Sequence, residues 1–115
     1  MITLYGIGNC DTIRKTRKWL TDQGVEFDFH DYKKEGCSEK LAKQFLKQFS
    51  VEEIINKRGT TWRGLPQSSK DNLTASNAPQ LMQQHPALIK RPLMCINNEW
   101  LLGYDTDRMK RLINQ

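Results

Sequence analysis

Ile2-Thr3-Leu4-Tyr5-Gly6-Ile7-Gly8-Asn9-Cys10-Asp11 is the stretch that decides the fold. Its first residues favour β structure, and Gly6 and Gly8 mark the exit from a strand. From Asp11 the period changes. Ile13, Thr16 and Leu20 recur at i, i+3 and i+7 with Trp19 beside them, which predicts a helix to about Gln23, stopped by Gly24. Val25, Phe27 and Phe29 then alternate with Glu26, Asp28 and His30, which predicts a half-buried strand over 25–32. Strand, helix and strand in quick succession make a βαβ unit, whose crossover is right-handed and whose strands are parallel.

Working outward, the middle of the chain reads as helical. Ser38 is placed to cap a helix carrying Leu41, Ala42, Phe45, Leu46 and Phe49 on one face. Val51–Asn56 offers a second, short helix, ended by a turn at Arg58-Gly59. Asn77-Ala78-Pro79-Gln80 resembles a capping box with proline in the first turn, opening a helix to about Gln84. Beyond Pro92, Leu93–Ile96 and Trp100–Gly103 flank Asn97-Asn98-Glu99, a β-hairpin pattern. Asp105 then caps a last helix bearing Met109, Leu112 and Ile113. The order βαβ, helices, ββα is the thioredoxin arrangement. The expectation is an α/β, thioredoxin-like fold: a four-stranded mixed sheet in one domain over 1–115, with a helical insertion at about 38–85.

Composition narrows the function. The 115 residues suit one domain with its own core, and hydrophobic (37%) and charged (27%) shares are ordinary for a folded chain. The longest apolar run, Leu93–Ile96, falls far short of the ~18 residues of a membrane span. The start Met1-Ile2-Thr3-Leu4-Tyr5 has no basic flank or signal-peptide core, so a cytoplasmic location is expected. Lys and Arg outnumber Asp and Glu by 18 to 13, a net charge of +5 that permits nucleic-acid binding. The basic residues are dispersed, however, with no zinc-finger spacing, aromatic RNA-binding box or basic tail. Small anions suit this pattern better than nucleic acid. Three cysteines, Cys10, Cys37 and Cys95, read as reduced thiols. No two stand at metal-ligand spacing and two histidines do not supply the shortfall, so no metal is expected; no nucleotide cofactor is expected either.

Position singles out Cys10. It lies between the first strand and the first helix, where the helix macrodipole and unpaired amides stabilise a thiolate. Arg14 is one turn on and within reach of the same anion, whereas Asp11 opposes the thiolate. Cys95 sits in an apolar strand and reads as core, and Cys37, after Gly36 in a polar loop, reads as exposed. Arg91 precedes Pro92, which keeps it out of helical conformation and holds its side chain at a turn.

Asn9-Cys10-Asp11-Thr12-Ile13-Arg14, taken with His85-Pro86-Ala87-Leu88-Ile89-Lys90-Arg91-Pro92, resembles the arsenate reductase (ArsC) family of thioredoxin-like proteins. Arg58-Gly59-Thr60-Thr61-Trp62-Arg63 makes the likeness strongest to its YffB-type subgroup. The resemblance covers essentially the whole chain. It implies a Cys-x-x-x-Arg anion loop with Cys10 as nucleophile and Arg14 beside it, and an anion-binding Arg91 before a cis Pro92. It also implies a glutathione-binding role for Arg58 and Asn9, and glutathione as co-substrate for a small oxidised or oxyanion substrate, with glutaredoxin as a further partner. Glutathione-linked arsenate reductases carry another oxyanion-binding arginine after the last hairpin, where this chain reads Leu102-Gly103-Tyr104-Asp105. The same Gly103-Tyr104 and Lys90-Arg91-Pro92 also resemble Spx, which binds RNA polymerase and regulates transcription. Spx redox sensing uses Cys-x-x-Cys, and Ile13 occupies the second cysteine's place here.

Overall fold

Strand β1 (Ile2–Gly6) buries alternate residues, with Ile2, Leu4 and Gly6 inward. Helix α1 (Asp11–Asp22) follows and buries Ile13, Thr16 and Leu20. Thr16 brings a hydroxyl into this apolar stripe, and it is satisfied by donating to the Thr12 carbonyl at 2.7 Å. The helix ends in a Schellman turn: Gly24 adopts φ +71°, its amide donates to the Thr21 carbonyl, and the Val25 amide donates to Leu20. This turn corrects the expected second strand. Val25 is spent on closing the helix, and β2 (Asp28–Asp31) begins only where it can pair with β1, from Thr3↔Asp28 to Gly6↔Asp31 in parallel register. Tyr32, expected in the strand, opens the single helical turn α2 (Tyr32–Glu35).

The structure, a computed structural model, describes residues 1–115, which separate into one unit of 1–35 with 91–115 and a second of 36–90. The second unit is helical. Ser38 accepts from the Leu41 amide to cap α3 (Glu39–Gln48), and Ser50 and Glu53 form a reciprocal capping box on α4 (Val51–Ile54). That helix stops short of Asn56 because Ile55 leaves it to bridge Ile89. The flanking amides of Asn56 and Lys90 donate to Leu88 and Ile54 at 2.7 and 2.8 Å. Two further short helices, α5 (Thr60–Arg63) and α6 (Gln67–Asp71), precede α7 (Ala78–Gln84), which packs on α3. Asn77 does not form the expected box at α7. Its side chain instead takes the Thr74 amide and donates to the Asn72 carbonyl, tying off the preceding loop. A 3-10 turn at Pro86–Leu88 follows.

In the first unit, β3 (Leu93–Ile96) and β4 (Glu99–Leu102) form the hairpin. Its loop is the pair Asn97-Asn98, with φ +50° and +70°, the left-handed pair that a two-residue type I′ turn demands. Glu99, expected in the turn, pairs with Ile96 as the first residue of β4. Asp105 caps α8 (Thr106–Ile113) by accepting from the Arg108 amide. The sheet order is β2-β1-β3-β4, parallel between β1 and β2 and antiparallel elsewhere, so the expected mixed four-stranded α/β sheet is what forms. Ile2, Leu4, Met94, Ile96 and Leu101 of the sheet share one core with Ile13 and Leu20 of α1 and Met109 and Leu112 of α8. No helix is long and apolar enough to cross a membrane.

Candidate active site around Cys10

Strand β1 delivers the chain to the mouth of α1, and two features fix how it turns. A Cβ on buried Gly6 would run into the Ile13 side chain, so only a glycine lets the first turn of α1 seat this closely on the strand. The Cys10 amide then donates to Ile7 at 3.1 Å, closing the loop, and the Cys10 carbonyl accepts from Arg14 to start the helix. Cys10 thereby becomes the N-cap residue, in extended conformation at φ −85° and ψ 132°.

The sulfur is half-buried against the sheet–helix core. Burial alone would raise its pKa, but amides at the helix start, of Ile13 and then Thr12, and the Arg91 guanidinium hold the thiolate and lower it overall. Sequence reasoning located the helix-start effect and named Arg91. It gave no sign which amides would point at the sulfur, since that depends on how Gly6 lets the turn sit. Arg91, within the first unit, is joined to the buried Pro92 by a cis peptide bond, and the Pro92 carbonyl accepts from Gly103 at 2.8 Å, fixing this segment beside the hairpin's exit.

Arg14 is placed differently from Arg91. One terminal nitrogen donates to the Asp11 carboxylate at 2.8 Å and the other to the Asn9 carbonyl at 3.0 Å. The guanidinium thus clasps the loop on either side of Cys10, and Asn9 contributes its carbonyl to that clasp. Arg58 stands in the second unit, exposed on the turn between α4 and α5, where its amide donates to the Asn56 side chain. After the hairpin, where an arginine would sit, Tyr104 packs beneath Lys15 at 4.4 Å.

The other thiols differ in kind. Cys37, expected to be exposed, is buried at 3% relative exposure. Gly36 at φ +69° turns it inward, a conformation the sequence signals only as a glycine, and desolvation pushes its pKa up to about 11. Cys95 lies half-buried in β3, opposite Trp100 of β4. No group of three or more His, Cys, Asp or Glu side chains is arranged to hold a metal.

Across residues 5–112 the sequence matches the ArsC family. The chain belongs to that family. A YffB protein of known structure is 34% identical, covers 98% of this chain and 99% of its own, and superposes with a TM-score of 0.92. An arsenate reductase (ArsC) related protein from Brucella melitensis is 39% identical over 96% of this chain and 92% of its own, with a TM-score of 0.75. The global transcriptional regulator Spx 1 of Oceanobacillus iheyensis is 29% identical over 98% of this chain and 87% of the regulator. The fold of this ArsC-family chain is thioredoxin-like. Its relatives include both arsenate reductase-related proteins and transcription regulators.

Proposed function

We propose that this chain is a glutathione-dependent thiol reductase resembling arsenate reductase, with Cys10 as its single nucleophile. The observation that carries the reading is the convergence of helix-start amides and the Arg91 guanidinium on one half-buried sulfur. A low-pKa thiolate held this way is poised to attack an electrophilic atom. With a glutathione mixed disulfide, the Cys10 sulfur bonds to the glutathione sulfur, the S–S bond breaks and the substrate leaves as a thiolate. A second glutathione thiolate, or a glutaredoxin thiolate, then attacks the same glutathione sulfur, forms a new disulfide and returns Cys10 as thiolate. With an oxyanion the Cys10 sulfur would bond to the central atom instead, an oxygen ligand would leave as water, and glutathione would then supply the two electrons by attacking the adduct. Absence of an arginine over Leu102–Asp105 favours the disulfide branch, since one charge-assisted donor is worth roughly 2–3 kcal/mol to a bound oxyanion. Arg91 in this scheme holds the departing charge or a glutathione carboxylate, beside Pro92. Reduced glutathione points to a cytoplasmic site of action.

Turnover of a glutathionylated peptide and of arsenate, each with glutathione and glutaredoxin, tests the reading. Thiol turnover lost in Cys10→Ser supports it, and wild-type protein inert toward both substrates overturns it. The relatedness to Spx gives a second reading, a regulator that binds RNA polymerase without a Cys-x-x-Cys switch. Salt-resistant capture of polymerase subunits together with absent thiol turnover would select that one.

A further inference from the structure

Arg14 and Asp11 form an ion pair at the rim of the nucleophile, and the pair is open to solvent, with side-chain exposures of 60% and 96%. Both terminal nitrogens of Arg14 are engaged by the chain itself, one on Asp11 and one on the Asn9 carbonyl. The carboxylate therefore does two things at the start of α1. It occupies the guanidinium one turn from the sulfur, and it sets a negative charge on the residue next to Cys10. Nothing in the packing requires an acid there, because the Asp11 side chain touches solvent almost throughout. Asp11 stands in the first turn of α1, where a carboxylate also suits the positive end of the helix dipole.

We infer that Asp11 is a specificity-determining residue: by holding Arg14 and placing its own charge at the mouth of the site, it turns away tetrahedral dianions and leaves the nucleophile to disulfides. The inference rests on Cys10 being the nucleophile and deepens that reading by naming the substrate class. Electrostatics sets the scale. One unit charge removed at on the order of 6 Å in water changes encounter with a monoanion by about threefold and with a dianion by about tenfold. A disulfide whose substituents are uncharged is nearly indifferent to the same change. Ionic strength must be kept low for the effect to be seen, because both partners are exposed.

The test uses Asp11→Asn, which keeps the side chain's size, and the double variant Asp11→Asn with Arg14→Ala. Three rates are read at Cys10 in dilute buffer: alkylation by neutral iodoacetamide, alkylation by anionic iodoacetate, and mixed-disulfide formation with the uncharged disulfide of 2-mercaptoethanol. Inorganic sulfate and arsenate are then titrated as protectants against iodoacetamide. In Asp11→Asn the iodoacetate-to-iodoacetamide ratio should rise about threefold and sulfate should protect at about tenfold lower concentration, while the mixed-disulfide rate normalised to iodoacetamide moves less than about twofold. In the double variant the gain in sulfate protection should be lost. Unchanged sulfate protection in Asp11→Asn overturns the inference, as does a gain that survives removal of Arg14. A wild-type protein in which Cys10 is not the fastest thiol would instead overturn the nucleophile assignment, and the two failures are read from different data.

Discussion

At the scale of single residues, Cys10 and Cys37 are the same side chain in opposite surroundings. Burial opposes ionisation of both, but Cys10 has two helix-start amides and Arg91 to outweigh it, and Cys37 has only desolvation, which takes it to about 11. Cys10 should therefore be the fastest thiol toward iodoacetamide at neutral pH, with an apparent pKa below the ordinary cysteine range. Cys37 should stay unmodified until the protein unfolds. Rate against pH with peptide mapping checks both, and Cys37 or Cys95 reacting first would refute the assignment. Arg91→Ala should raise the apparent pKa of Cys10 and slow its alkylation at neutral pH severalfold, with little change in the urea midpoint, since the guanidinium supplies charge more than packing. A collapse in stability with an unchanged alkylation profile would make Arg91 structural.

Elements place these groups, and their boundaries follow hydrogen bonding more than hydrophobic pattern. Gly6→Ala should overpack against Ile13, cost about 1–3 kcal/mol by urea denaturation, and slow Cys10 alkylation by displacing the amides of the first turn of α1. Asp105→Ala should cost about 1 kcal/mol by removing the cap of α8, and leave the alkylation rate unchanged. Equal effects of the two on Cys10 would show that the first turn of α1 has no special hold on the sulfur. The same contrast explains what the sequence disclosed. Elements with a sustained period and a cap, α1, α3 and α8, were legible, as was the Asn97-Asn98 hairpin. The start of β2 was not, because Val25 alternates like a strand residue while its amide closes a helix. The end of α4 was hidden for a like reason: the Ile55 bridge to Ile89 joins residues 34 positions apart. Single turns such as α5 and α6 are too short to show any period. Around the site, the seat of Cys10 and the candidacy of Arg91 were readable from position, but Arg14's commitment to Asp11 and Asn9 depends on rotamers that spacing does not reveal.

For the molecule as a whole, the two thiols make separable demands on pH and on redox chemistry. The pKa of Cys37 is raised on folding, so its contribution to stability is full below the unfolded value and is lost as pH rises toward about 11. Wild type should lose on the order of 2 kcal/mol more than Cys37→Ala between about pH 9 and 11, measured by urea denaturation, and parallel curves would contradict the burial of this thiol. The burial also bears on how a catalytic cycle closes. A Cys-x-x-Cys protein resolves its own mixed disulfide because the second thiol is already close, but Ile13 holds that position here and its side chain is fully buried. A resolving thiol must also ionise, and at neutral pH a pKa of about 11 leaves Cys37 almost wholly protonated. Oxidised glutathione should accordingly leave a single stable glutathionyl adduct on Cys10, and excess reduced glutathione should remove it. Intact mass distinguishes this from an internal disulfide, which loses two hydrogens and gains no glutathione. An internal bond forming in wild type, with the adduct persisting only in Cys37→Ser, would replace the monothiol cycle with a dithiol one and make the opening of Cys37 to solvent part of the mechanism.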